Sequence, residues 1–199
     1  MAISNYTNLQ TSVESWFKRD DLTAQIPDFI SLAESVMQVR CKLVEFEATA
    51  TVTITAGVGT IPTGFVGMRS VYWNDSLSQP LSYITPEQFD AMRSWGEGDT
   101  YFYTISGTTI RTSNTETGSV IMTYNAKFTP LSNGSPTNAI ITNYPEAYLY
   151  GTLAQAYIYA EDDKNTEKYS SLFSGALDRI NENNAARKYA GATLQVRAA

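Results

Sequence analysis

The sequence contains no histidine and a single cysteine, Cys41. Histidine is the usual general base of serine and cysteine hydrolases and the commonest metal ligand, so its absence excludes the usual forms of those sites. One thiol cannot form an intrachain disulfide or assemble a thiolate zinc site. Cys41 stands within an apolar helical pattern, where we expect a buried and unreactive thiol.

Nucleotide-binding motifs are also missing. No GxxxxGK[ST] sequence occurs. Gly57-Val58-Gly59 begins like a dinucleotide fingerprint, but Pro62 stands where the third glycine belongs. The segment joins predicted strands, so we predict a turn there. From these absences we expect no cofactor, no metal and no catalytic residue.

Long apolar runs are absent as well. No stretch approaches the ~20 residues that a helix needs to span a bilayer. The N-terminus lacks the basic and apolar regions of a signal peptide. We therefore expect a protein that has no membrane partner and folds in a reducing cytoplasm.

Positive charge is scarce except at the C-terminal end. The net charge is −6, and the last fifteen residues contain Arg187, Lys188 and Arg197 without an acid. The rest of the chain therefore carries −9. Such an acidic body is a poor ligand for the phosphate backbone of DNA.

Helical periodicity is present at both ends of the chain. It predicts helices over residues 7–18 and 23–47, and two more over residues 143–190. For the last helix we expect Asn165 or Asp163 at the N-cap and Gly191 as the stop signal. Because a short connection joins the last two helices, we expect them to pack antiparallel.

The middle of the chain has the two-residue period of strands, clearest at residues 49–55, 65–73 and 119–128. We also expect a strand near 77–84, a hairpin at 101–112, and between them a short helix to about Ser94, with Thr85 as its cap and Pro86 in its first turn. The predicted fold is α+β. A mainly helical bundle from residues 1–47 and 138–190 carries a β-rich insertion at 48–137 and a flexible C-terminal tail at 191–199.

The clearest candidate for partner binding is the basic C-terminal end. Arg187 and Lys188 are expected in the last helical turn, and Leu194, Val196 and Arg197 alternate in a short piece that could dock in extended form. An equally ordinary interpretation of such a tail is a frayed chain end.

Three segments together resemble the head-to-tail adaptor proteins of short-tailed phages, of the head-completion or tail-tubular type, although relatives in longer-tailed phages leave the tail type open. They are Ile26–Glu34, Tyr144–Leu153 and Asp162–Asn165, placed around the β-rich middle. The similarity covers most of the chain, and the matching motifs are structural rather than catalytic. The β-rich insertion matches least well.

The resemblance implies a virion structural protein of the head–tail neck, present in the host cytoplasm before assembly. Such adaptors typically form a ring of twelve copies beneath the portal and receive a tail or nozzle protein on the other side. DNA passes through the lumen during ejection without sequence-specific binding. The C-terminal segment would then reach the portal.

Two other functions stay open on the residues alone. The first is a small cytoplasmic binding module that uses Tyr101, Phe102 and Tyr103 on the β-rich part, although sheet core explains these aromatics more simply. The second is a phage-borne glycosidase built on paired carboxylates. The pairs are Asp20 with Asp21, Glu45 with Glu47, Glu97 with Asp99, and Asp162 with Asp163.

Overall fold

A computed structural model describes residues 3–41, 43–75, 79–92, 102–113 and 117–189. These residues form an α+β fold with two short 3-10 helices, at Asp20–Gln25 and Val44–Phe46. The α-helices are α1 Tyr6–Phe17, α2 Ile26–Arg40, α3 Pro86–Met92, α4 Ala139–Asn143, α5 Pro145–Tyr159 and α6 Asp163–Tyr189. The strands are β1 Glu47–Ile54, β2 Val58–Thr60, β3 Phe65–Trp73, β4 Ser82–Tyr83, β5 Phe102–Ser106, β6 Thr109–Thr112 and β7 Gly118–Ala126.

The chain divides into two compact units, a helical unit of residues 1–45 with 128–199 and a strand-rich unit of residues 46–127. Residues 128–137, which we predicted within the insertion, group with the helices. The backbone explains this, because the N–H groups of Phe128 and Leu131 donate to the side chains of Gln38 and Glu34 on α2.

Helix α2 is shorter than the sequence predicted. Residues 20–25 form a 3-10 helix, and α2 begins only at Ile26, with Pro27 in its first turn. It ends at Arg40 because Cys41 is extended, with φ −97° and ψ 123°. Cys41 and Leu43 are both buried, so the apolar stripe that we assigned to a helix continues here in extended backbone.

Helix α5 is the central element of the helical unit and packs against α1, α2, α4 and α6. Its buried residues lie on most sides of the helix rather than on one stripe: Ala147, Tyr148, Leu149, Gly151, Thr152, Leu153, Ala154 and Ala156. A helix that is apolar all round belongs in an interior.

Small residues let three helices meet. A methyl group at Gly151 of α5 would lie 2.8 Å from a ring carbon of Phe173 on α6 and 3.2 Å from Cβ of Ala33 on α2. Real Cβ atoms almost never approach other atoms within 3.0 Å. Glycine at this position therefore sets the separation of α2, α5 and α6.

The strand-rich unit contains two sheets, one with order β1-β7-β3 and one with order β2-β6-β5-β4. In the first, β7 pairs antiparallel with both neighbours, from Glu47 opposite Asn125 to Ile54 opposite Gly118 on the β1 side. In the second, β4 and β5 are parallel, and the other pairs are antiparallel. Their buried side chains form one core that includes Ile54, Trp73, Tyr103, Ile110 and Met122.

Two local predictions in this unit have clear outcomes. The turn near Gly57 exists, but Ala56 and Gly57 are its positive-φ residues and Val58 already starts β2. Helix α3 begins with a reciprocal capping box, in which the N–H of Thr85 donates to Gln88 Oε1 and the N–H of Gln88 donates to Thr85 Oγ1, both at 3.3 Å. Of the strand expected at 77–84, the described residues contain only β4.

Candidate partner-binding site at the C-terminal half of helix α6

One face of α6 changes its chemistry along the helix. Its first part is buried through apolar residues at helical spacing: Tyr169, Phe173, Ala176, Leu177 and Ile180. Continuing at the same spacing, the face next presents Asn184 and Arg187. The stripe that packs the helix thus becomes polar for its last two turns.

The polar part of α6 lies along the segment that follows α2. The Arg40 guanidinium donates to Ser174 Oγ at 3.2 Å and to Asp178 Oδ1 at 3.1 Å. Asn181 Nδ2 donates to the carbonyl of Arg40 at 3.1 Å, and the N–H of Val44 donates to Asn184 Oδ1 at 2.9 Å. The two chain segments therefore run parallel and are joined by hydrogen bonds.

Arg187 makes the last of these contacts along α6. Its guanidinium donates to the carboxylate of Glu45 and forms an ion pair with it. That hydrogen bond raises the pKa of the Arg187 guanidinium, with the charge of Glu45 adding to the effect. Arg187, which the sequence assigned to a partner, thus has a partner inside the chain. The Arg187 side chain is 57% exposed, whereas that of Glu45 is 22% exposed.

The other predicted contact residues differ in what the structure shows of them. Lys188 is exposed in the last turn of α6. Leu194, Val196 and Arg197 lie outside the described residues, as do Gly191 and the remainder of the predicted tail.

Sequence reasoning missed a buried carboxylate elsewhere in the helical unit. Glu34 of α2 is 6% exposed, and its Oε1 accepts hydrogen bonds from the N–H of Leu131 at 2.7 Å and the hydroxyl of Tyr148 at 2.8 Å. Asn138 Nδ2 in turn donates to the Tyr148 oxygen at 2.6 Å. The network joins α2, α5 and the segment before α4.

Burial governs the ionisation of this network. Loss of water raises the pKa of Glu34, partly offset by the Leu131 N–H and the Tyr148 hydroxyl. Burial likewise raises the pKa of Tyr148 far above its ordinary value. The available signal was an acid inside an apolar stripe, since Glu34 stands between Ile30 and Met37.

Comparison of the chain with known sequences identifies its family. The family described as SU10 adaptor protein matches residues 4–197, which is nearly the whole chain. The chain belongs to this family. It is a phage head-to-tail adaptor family, as the resemblance implied. No curated protein shows significant sequence similarity to the chain.

Membership gives the adaptor its general role. The family is structural rather than enzymatic, its place is in the virion, and it implies association with portal and tail components of a phage. Within the part of the chain that the structure describes, no helix is both long and apolar enough to cross a membrane.

Several residues of the acidic pairs form ion pairs within the adaptor. Asp21 pairs with Arg19 at 2.8 Å and Glu47 with Arg69 at 3.1 Å, while Glu45 pairs with Arg187. Glu97 and Asp99 lie outside the described residues. Among the residues described, no group of three or more acidic or thiol side chains could hold a metal ion.

Asp162, from the last of these pairs, caps α6. Its Oδ1 accepts from the N–H of Asn165 at 3.1 Å, and its Oδ2 accepts from Asn165 Nδ2 at 2.7 Å. We predicted Asn165 or Asp163 as the cap, and that prediction was wrong by one to three residues. Asn165 is instead the residue that receives the cap.

The remaining candidates from the sequence are mostly core. Cys41 is buried, and burial raises the pKa of its thiol to about 11, which makes it unreactive at neutral pH. Tyr103 belongs to the core of the strand-rich unit and Phe102 is half-buried. Tyr101 lies outside the described residues. The aromatic cluster therefore offers no evidence for a separate ligand surface.

Proposed function

We propose that this protein forms a ring beneath the portal, in the neck of the virion, and that the ring joins the capsid to the tail. The ring has twelve copies, receives a tail or nozzle protein on its other side, and encloses a lumen through which DNA passes during ejection. The protein is present in the host cytoplasm until assembly. The observation that carries the proposal is the family match over residues 4–197.

The charge of the chain supports this function. The net charge is −6, and the chain before its last fifteen residues carries −9, so the body of the ring repels the phosphate backbone. A DNA channel has to let the duplex slide, so weak attraction for DNA is an advantage there. Binding without sequence preference follows, since no motif for reading bases is present in the sequence.

We further propose that the C-terminal end contacts the portal, through Arg187, Lys188, Leu194, Val196 and Arg197. The support is the position of Arg187 and Lys188 at the end of a helix of 27 residues, about 40 Å long at 1.5 Å per residue. The segment that follows α6 is therefore presented at one extreme of that helix. An acidic groove on the portal could take Arg187 in exchange for Glu45.

Deletion of residues 191–199 tests the portal contact. We expect the truncated protein to keep its thermal unfolding midpoint, because the deletion leaves the described helices intact. Its affinity for purified portal particles should fall at least about tenfold relative to the full chain, as measured by light scattering or sedimentation. Unchanged affinity would overturn the assignment of the tail while leaving the adaptor family untouched.

A further inference from the structure

Helices α2 and α6 each have an exposed run without charge. Between Asp28 and Arg40, and between Lys168 and Asp178, every exposed position is serine, leucine, valine or glycine. We name these positions the uncharged surface: Ser31, Leu32, Ser35 and Val39 of α2, and Ser170, Ser171, Leu172 and Gly175 of α6.

The two runs lie side by side, on helices that contact each other near both runs. Arg40 of α2 reaches Ser174 and Asp178 of α6, and a methyl group at Gly151 would touch both Ala33 and Phe173. Ser35 and Val39 of α2 and Gly175 of α6 fall between these contacts, and the other uncharged positions precede Ala33 or Phe173 by one to three residues. They therefore form parts of one side of the helical unit.

Apolar side chains on this surface are open to solvent. Leu32 is 52% exposed and Val39 is 77% exposed, with half-buried Val36 between them at helical spacing. Outer faces of surface helices are ordinarily charged or polar. Leucine and valine separated by serines make a shallow apolar surface of the kind that other proteins cover.

Gly175 gives an independent indication. It lies in the middle of α6, where glycine weakens a helix relative to alanine. Unlike at Gly151, packing within the chain does not require a glycine here, because a methyl group at this position would have no atom within 4 Å. A glycine on an exposed helix face lets another backbone approach closely.

We propose that the uncharged surface is where a second copy of this chain packs, with a helix of that copy seated over Gly175. This inference rests on the ring proposed above. The ring requires contacts between copies, although two chains of net charge −6 repel each other. Their backbones approach most easily where charge is absent. In a ring this surface meets a different surface of the next copy.

Substitutions at Gly175 separate the proposal from a purely intramolecular role. Gly175→Ala and Gly175→Leu add side chains into open space on a helix, so the thermal midpoint of the isolated protein should stay level or rise by about 1–4 °C. Ring formation on purified portal particles, followed by sedimentation and native mass spectrometry, should fall progressively from glycine to alanine to leucine. We expect at least about a tenfold loss for Gly175→Leu.

A second variant tests the apolar part of the same surface. Val39→Ser removes an exposed apolar group from α2 and should weaken ring formation without lowering the thermal midpoint. The matched control is Val66→Ser, which changes a valine that is 49% exposed in the strand-rich unit. The control should assemble like the unaltered chain.

Each result decides between the proposals. Rings that form equally well with Gly175→Leu and Val39→Ser would overturn the second-copy contact and leave the proposed function standing. Variants that still form rings in the absence of portal but no longer join it would assign the surface to the portal and overturn the second copy as occupant. If the unaltered chain formed no ring on the portal, both the proposed function and this inference would fall.

Discussion

The hydroxyl of Tyr148 on α5 donates a hydrogen bond of 2.8 Å to Glu34 on α2, in the interior of the helical unit. The same carboxylate oxygen accepts from the backbone N–H of Leu131. A carboxylate with two donors is tolerated in an interior, although its ionised form still loses the solvation it has in water. This pairing links the segment after the strand-rich unit to the helices that we place in the body of the ring.

The first prediction concerns the pH dependence of stability through Glu34. The folded state raises the pKa of this carboxyl above its ordinary value of 4.5. Folding therefore favours the protonated form, so the contribution is fully present below pH 4.5 and is lost as pH rises through the folded pKa. Glu34→Gln keeps an acceptor oxygen and has no such dependence.

The test is urea unfolding of both proteins at a series of pH values from about 4 to about 8. The free energy of unfolding of the unaltered chain, minus that of Glu34→Gln, should decrease as pH rises. Carboxyls with lowered pKa, such as Asp21 and Asp162, are common to both proteins and cancel in the difference. A difference that increases with pH would contradict the assigned direction.

A second prediction compares two helical glycines. Gly151→Ala forces a methyl group against the buried ring of Phe173, and we expect it to lower the free energy of unfolding by about 1–3 kcal/mol despite the better helix propensity of alanine. Gly175→Ala, with open space at its Cβ, should raise it by up to about 1 kcal/mol. Chemical denaturation measures both, and equal effects would refute the packing account of Gly151.

A third prediction concerns the polar half of α6. Asn184→Ala removes the acceptor of the Val44 N–H, which should cost about 1 kcal/mol locally. Since residues beyond Ile180 are held by polar contacts, the loss should appear as faster amide hydrogen exchange in the last two turns of α6. Leu172→Ala, an exposed position earlier in the helix, serves as control. Unchanged exchange near residue 184 would show that other contacts hold this end.

The sequence was most informative where local chemistry decides structure. The two-residue period at residues 49–55 corresponds to β1, and the prediction of Thr85 as a helix cap is confirmed by its hydrogen bonds with Gln88. Periodicity also located α5 and α6, because a long apolar stripe has few alternative conformations.

Features that depend on distant neighbours could not be predicted. Helix α2 ends at Arg40 because the extended residues after it bury Cys41 and Leu43 and donate to α6, more than 130 positions away. The role of Glu34 likewise depends on Tyr148, 114 positions later. Short elements such as β2 and α4 were missed because three to five residues carry too little pattern.

For the candidate site, composition identified the basic end but not its intramolecular pairing. Glu45 and Arg187 are 142 positions apart, and their contact follows from the parallel course of two segments that no local pattern reveals. The resemblance to the adaptor family was inferred from motifs spread across the chain, and the family match over residues 4–197 confirms it.

The most direct test of the central claim is electron cryomicroscopy of purified portal particles incubated with this protein. The account predicts a closed ring of copies, coaxial with the portal, with the C-terminal end of α6 directed toward it and an open lumen. Portal particles without added density, together with a chain that stays monomeric at the same concentration, would contradict it.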